Sequence, residues 1–224
     1  MKRETHGKRT ALVLGASGLV GQEVTRLLLA SSRYQSVTVL VRKKLDWKHE
    51  KLRQQLVDFA ALEQYESVFS VHDVYSCLGT TIKKAKTKEN FWKVDYEYTM
   101  SAARLSQQKG VHNFLTVSSI GANPRSIFFY SQVKGRVEED LKKLSLQGLH
   151  IFRPSLLLGE REEVRLGERV AEKFFGIMPF LFTGPLHKYR PIAAEQVAKE
   201  MCKAALRDMR GVHIYESNDI ANMQ

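Results

Sequence analysis

Residues 10–31 read TALVLGASGLVGQEVTRLLLAS, an apolar run followed by three spaced glycines and then by a helical pattern. Thr10 to Leu14 has the composition of a buried strand, while Val20, Val24, Leu27 and Leu28 recur at the spacing of one helix face. Between them Gly15 permits a tight turn, Gly18 lets the backbone approach a pyrophosphate, and Gly21 allows the helix to pack closely on the turn. A glycine triplet alone marks an ordinary turn. Placed directly after a strand and at the opening of a helix, it implies a dinucleotide site, with Ser17, Leu19 and Val20 of the same turn among the contacts.

Outward from this unit the chain alternates. Strands are expected at Val37–Val41, in a short run ending at Val57 and Asp58, at Asp73–Cys77, Asn113–Val117 and Leu149–Phe152. Helices are expected through Tyr65, over Asn90–Lys109 with Phe91, Val94, Tyr98 and Ala102 buried, and over Ile127–Leu146. Strands joined by helix-length crossovers pair in parallel, so the fold class is α/β, a doubly wound, three-layer Rossmann sheet. No repeat or linker divides the 224 residues, which are read as one domain. After Pro154 the pattern changes to a charged helical stretch over Glu160–Phe175, the segment FFGIMPFLFTGP and a last helix over Glu195–Arg207. The expectation is a small C-terminal substrate cap over the carboxyl ends of the strands, at about 154–192. Its Phe-rich part, 174–182, reads either as cap core or as an apolar lip.

The end of the second strand separates two cofactors, since a carboxylate there holds a ribose 2′-hydroxyl and a basic group accommodates a 2′-phosphate. Arg42 and Lys43 occupy it, followed by Lys44, with no acid before Asp46, so NADP(H) is the expected cofactor. Asp58 and Phe59 are expected at the adenine, and Cys77, Leu78 and Gly79 beside the nicotinamide ribose.

Tyr130 and Lys134 stand four apart on a helix and share a face. Phenol, with a pKa near about 10, is a poor acid-base group at neutral pH until an ammonium beside it favours the phenolate. Ser118 and Ser119 end the preceding strand; Ser119, the further out, is the candidate to polarise a carbonyl oxygen, and Ser118, with Tyr130 and Lys134, is expected among the cofactor contacts. A surface helix pair is the plain alternative for Tyr130 and Lys134. The serines one element earlier favour catalysis.

The formal charge of +11 is spread over the N-terminal tail, Arg42–Lys44 and Lys83–Lys88. No element carries a basic stripe with interleaved aromatics, so anionic small molecules are expected as partners and nucleic acid is not. Cys77 and Cys202 lie far apart in the chain and read as reduced thiols; no metal-ligand spacing is present, so no metal is expected. No apolar run reaches membrane-span length and no signal-peptide core follows the N-terminus, from which a cytoplasmic protein is expected.

These residues resemble a known group. GASGLVG, VTVLVRKKL, VDFAALEQY, CLGTTIKKA, VDYEYT, TVSSIGA, FFYSQVKGRVE, FRPSLLL and RLGERVAEKFFG are similar to the atypical short-chain dehydrogenase/reductases, in the branch of the HIV Tat-interacting protein and its bacterial relatives. The resemblance, over about residues 11–192, implies NADPH binding through Gly15, Ser17, Gly18, Gly21 and Arg42, and catalysis by Ser119, Tyr130 and Lys134. It implies further that FRPSLLL leads into the substrate region, with Arg153 and Pro154 counted among the cofactor contacts, and that Arg190, Pro191 and Ile192 return the chain to the sheet. Ser155 departs from the glycine usual after Arg-Pro, which would reshape the pocket floor. The expected function is an NADP(H)-dependent oxidoreductase acting on a small-molecule carbonyl or alcohol, of apolar character if the Phe-rich segment lines the entrance. The alternatives are an NADPH-sensing regulatory protein, for which Tyr130 has no use, and an isomerase or dehydratase using its cofactor internally.

Overall fold

The computed structural model describes residues 8–158 and 190–222. In chain order the elements are β1 (Arg9–Leu14), α1 (Leu19–Ala30), β2 (Tyr34–Val41), β3 (Leu52–Leu56), a 3-10 segment (Phe59–Phe69) and β4 (Asp73–Ser76). There follow α2 (Ile82–Ala85), α3 (Lys88–Trp92), a π turn (Lys93–Glu97), α4 (Tyr98–Gln108), β5 (Asn113–Val117), α5 (Phe129–Leu141) and β6 (Gly148–Arg153). The last described elements are β7 (Leu157–Leu158), β8 (Ile192–Ala193), α6 (Ala194–Arg207), β9 (Gly211–Glu216) and α7 (Ser217–Asn222).

Seven strands form one sheet in the order β3-β2-β1-β4-β5-β6-β9, and every ladder in it is parallel. The alternation of strand side chains assigns the residues to two apolar layers. Ala11, Val13, Val37, Val39, Tyr75, Leu115 and Phe152 face one side, where α1 brings Val20, Val24 and Leu28 and α6 brings Val197, Met201 and Ala204. Leu12, Leu14, Leu40, Val74, Phe114, Leu149 and Ile151 face the other, under the 3-10 segment, α4 and α5. This is the doubly wound, three-layer sheet read from the crossovers. The order reverses between β1 and β4, which opens a crevice at the carboxyl ends of the central strands.

Several expectations need correction. The helix expected over Glu195–Arg207 is α6, which lies with α1 on a sheet face because its Val, Ala and Met stripe completes that layer. A seventh strand, β9, went unread although Val212, Ile214 and Tyr215 carry strand-forming side chains. At the sheet edge Val212 and Ile214 stay exposed, so no buried run announces it. The segment through Tyr65 is 3-10 rather than α, with breaks in the backbone at Ala61 and Tyr65. The helix expected at Asn90–Lys109 begins at Lys88 and passes through the π turn, and α5 starts at Phe129 and ends at Leu141, short of Ile127 and Leu146 at either end. The charged stretch 160–175 and the Phe-rich segment lie outside the described residues. Arg190, Pro191 and Ile192 do not return the chain to the main sheet: β8 pairs in parallel with β7 as a separate two-stranded sheet and leads directly into α6. Ser155 helps to fasten this pairing, its hydroxyl donating to Arg190 O while its N–H donates to Ser217 Oγ at 3.2 Å.

At the amino ends of the strands a buried polar network ties the sheet together. Asp73 accepts two bonds from the Arg9 guanidinium, one from Tyr34 and one from Asn113, each within 2.7–2.8 Å. Beside it His150 is buried, with Nδ1 3.0 Å from Tyr215 Oη and Nε2 3.2 Å from Asn113 Oδ1. Burial, with the neighbouring His213, pushes the His150 imidazole down to about 4. The unfolded chain takes up this proton near about 6.5, so the stability that His150 contributes is complete above that pH and is lost as pH falls from about 6.5 to 4, by about 3 kcal/mol. Thermal unfolding followed over this window should show the drop in the wild type and a smaller one in His150→Gln. Equal slopes in the two proteins would refute the assignment.

Candidate active site

The glycine turn has the steric demands that its sequence implies. Gly15 has φ of +80°, and a Cβ there would lie 2.5 Å from Cys77 O. At Gly21 a Cβ would lie 2.1 Å from Gly15 O, so only glycine lets α1 approach the turn this closely. At Gly18 the added atom would meet Gly15 O alone, at 3.3 Å, and the rest of its surroundings are open. Gly18 caps α1 and no side chain bonds to the cap, which leaves first-turn N–H groups and the positive end of the helix dipole for an anion. Such a cradle fits the pyrophosphate of a dinucleotide.

Arg42 and Lys43 follow β2, both exposed, and neither enters an ion pair among the described residues. Two positive charges are thereby available for a phosphate on the adenosine side. Asp58 and Phe59 are otherwise engaged: Asp58 Oδ1 accepts from Ala60 N at 2.9 Å and so caps the 3-10 segment, and Phe59 is buried against Tyr98 with ring centroids 5.7 Å apart. Their sequence position after β3 gives no hint of this capping and packing.

The loop after β4 meets both halves of the site. Cys77 lies against Gly15, and a Cβ on Gly79 would come 3.6 Å from Asp95 Oδ1 and 3.8 Å from Lys134 Nζ. Burial pushes both thiols up, Cys202 to about 12, so neither is a nucleophile at neutral pH.

Among the strand-end serines the geometry discriminates. Ser118 Oγ donates to Glu138 Oε1 at 2.5 Å, and the Arg153 guanidinium grips the same carboxylate while reaching Glu216 at 2.7 Å. Ser118 and Arg153 are therefore spent within the protein, and Arg153 serves as a bracket between β6, α5 and β9 rather than as a free cation at the pocket. Pro154 O accepts from Ile120 N at 2.9 Å. Ser119 Oγ, by contrast, is buried and has no hydrogen-bond partner among the described residues. A buried hydroxyl in this state costs free energy unless something else pairs with it.

Tyr130 and Lys134 lie one turn apart on α5. Tyr130 is 39% exposed, and its ring packs on Phe91 with centroids 5.6 Å apart. Lys134 is buried, its Nζ 2.8 Å from Asp95 Oδ1 and 3.4 Å from Val117 O. The sequence reading treats Lys134 as a free ammonium beside the phenol; in the structure its charge already has a counterion.

Asp95 and Glu138 are the acids that the sequence reading missed. The helical pattern assigned Val94 and Tyr98 to the buried face, but the π turn widens the spiral, so that Phe91, Asp95 and Thr99, four apart, are the buried positions. Nothing in apolar periodicity marks a π turn. The usable signal was the acid in VDYEYT four residues after Phe91, on a helix next to the predicted site.

The NAD(P)H-binding family matches residues 15–176. Protein HTATIP2 of Rattus norvegicus is 39% identical over 76% of this chain and 72% of its own length. Protein FMP52, mitochondrial, of Candida albicans is 32% identical over 90% of each. Among solved structures, MoeE5 in complex with UDP-glucose and NAD superposes with a TM-score of 0.70 at 15% identity, covering 94% of this chain and 79% of that one, a likeness of fold. The expectation of a cytoplasmic protein is overturned here. The yeast relatives are named mitochondrial, and the expectation rested only on a missing signal-peptide core and membrane span. Among the described residues no helix is long and apolar enough to cross a membrane.

Proposed function

The chain belongs to the NAD(P)H-binding family of Rossmann proteins, and from that premise we propose that it is an NADP(H)-dependent oxidoreductase of the short-chain dehydrogenase/reductase type, acting on a carbonyl compound or its alcohol. The observation that carries the reading is the buried hydroxyl of Ser119, without a hydrogen-bond partner among the described residues, beside the helix that holds Tyr130 and Lys134. The cofactor, when bound, supplies or takes the hydride. Gly15, Ser17, Gly18 and Gly21 with the first turn of α1 hold its pyrophosphate, and the loop at Leu78 and Gly79 borders its ribose. Ser119 donates to the substrate oxygen, Tyr130 gives that oxygen a proton in reduction and takes it back in oxidation, and Lys134 steadies the phenol and the ribose hydroxyls. Ile127 and Phe128, 92% and 70% exposed just ahead of Tyr130, support a substrate with an apolar body. The mitochondrial relatives support a mitochondrial setting.

The direct test is NADPH oxidation in the presence of a panel of apolar ketones and aldehydes. Turnover of one of them supports the reading; tight NADPH binding with no turnover of any would favour the cofactor sensor instead. A second expected result concerns Arg42 and Lys43. Calorimetry should find NADPH bound more tightly than NADH, and Arg42→Asp should reverse the order, since it sets a carboxylate against the 2′-phosphate and offers an acceptor to a 2′-hydroxyl. Equal affinities in the wild type would remove these residues from the phosphate site.

A further inference from the structure

Lys134 is buried to 8% side-chain exposure and its partner Asp95 to 0%, at 2.8 Å. Asp95 does more than pair with it: Oδ2 accepts the N–H of Thr80 at 2.9 Å, so one carboxylate joins the lysine on α5 to the loop after β4. The π turn is the local distortion that presents it there, a feature that recurs where a helix has to place one side chain in a site. Resting on the oxidoreductase reading above, we propose that Asp95 is a positioning residue of the site, which keeps Lys134 an ammonium and holds it against the cofactor loop.

The physical case begins with burial. An isolated lysine in this position would shed its proton, because the charged form is the one that loses hydration. Burial is indeed the largest influence on Lys134 and acts downward; Asp95 from the π turn, with Tyr130 and Glu138 from α5 itself, acts upward, and together they leave the amine above its ordinary value. Val117 O, at the end of β5, adds an acceptor but no charge. Glu138 is itself gripped by Arg153 at 2.5 Å, which leaves Asp95 as the counterion in contact with the amine. A neutral lysine would donate less strongly to ribose hydroxyls. Asp95 thus acts through Lys134 and Thr80 and needs no contact with the substrate.

The test is Asp95→Asn, which keeps the shape and an acceptor for Thr80 N–H but removes the charge. NMR titration of the lysine side chains, with Lys134 assigned by its disappearance in Lys134→Met, should show Lys134 losing its proton at least about one pH unit lower in Asp95→Asn than in the wild type. NADPH affinity measured from pH 6 to 9 should then decline with rising pH in the variant more steeply than in the wild type. An ion pair serving only structure would lower affinity by one factor at every pH. Unchanged titration of Lys134 in Asp95→Asn would overturn the proposal. Should the variant not fold, the wild type decides, because Lys134 must keep its proton up to the ordinary lysine range of about 10 despite its burial, and titration below about 9 overturns the role. If the wild type binds no NADPH at all, the oxidoreductase reading fails, while the lysine titration still tests Asp95.

Discussion

Tyr130→Phe is expected to slow turnover at least about 10²-fold, about 2.7 kcal/mol of transition-state stabilisation, with NADPH affinity nearly unchanged. The change removes one oxygen and keeps the ring that packs on Phe91 at 5.6 Å, so neither fold nor pocket shape should alter. Lys134→Met should behave differently. It strands the Asp95 carboxylate, 0% exposed, without its counterion, and removal of one member of a buried pair costs about 3–5 kcal/mol. The melting temperature should therefore fall along with activity and cofactor affinity, whereas Tyr130→Phe should melt like the wild type. The comparison uses whichever carbonyl compound the NADPH-oxidation panel identifies. A Tyr130→Phe enzyme that reduces it at the wild-type rate would exclude the phenol as the proton donor and make the cofactor sensor the better reading.

The contrast between Lys134 and Tyr130 shows where sequence reasoning stops. Spacing along a helix is a local property, so the pairing of Tyr130 with Lys134 and the glycine turn at 15–21 were legible, as was a parallel sheet from strands separated by crossovers. Asp95 was not legible from apolar periodicity, because its burial depends on a π turn that no apolar period encodes and on a lysine 39 positions away in the chain. The choice between Ser118 and Ser119 has the same origin. Both end β5 with equal propriety, and only the Glu138 carboxylate on α5, itself held by Arg153, marks Ser118 as structural. Arg153 reads in the chain as a cation at a strand end and turns out to be committed to two acids, while Arg42 reads the same way and has none among the described residues. Charge in a sequence tells what could bind; the partners in the fold tell what is left to bind with. β9 was missed for a further reason: its aliphatic Val212 and Ile214 stay exposed while Tyr215 is its buried residue, so the apolar contrast on which strand reading depends runs the wrong way.

Gly21→Ala and Gly18→Val should separate folding from binding within a single turn. At position 21 the new Cβ would lie 2.1 Å from Gly15 O, 2.7 Å from Gly15 C and 3.1 Å from the Ala16 Cα, all of them backbone, so no side chain can move aside to admit it. Either α1 lifts from the turn or the turn deforms, and α1 carries Val20, Val24 and Leu28 into the core with it. Overpacking of this kind costs about 3 kcal/mol, which for a chain of this size lowers the melting temperature by roughly 10 °C. Position 18 differs in each respect. Its backbone, at φ −88° and ψ 165°, is extended and suits a β-branched residue, and its added Cβ meets Gly15 O alone at 3.3 Å. Gly18→Val should therefore melt close to the wild type, yet its side chain enters the space over the N-terminus of α1 that a pyrophosphate needs. NADPH affinity should fall at least about 10²-fold, about 2.7 kcal/mol, in a protein that is still folded. Calorimetry that finds NADPH bound to Gly18→Val as tightly as to the wild type would move the cofactor away from this turn, and a Gly21→Ala protein with a wild-type melting temperature would show that the turn yields where the geometry says it cannot.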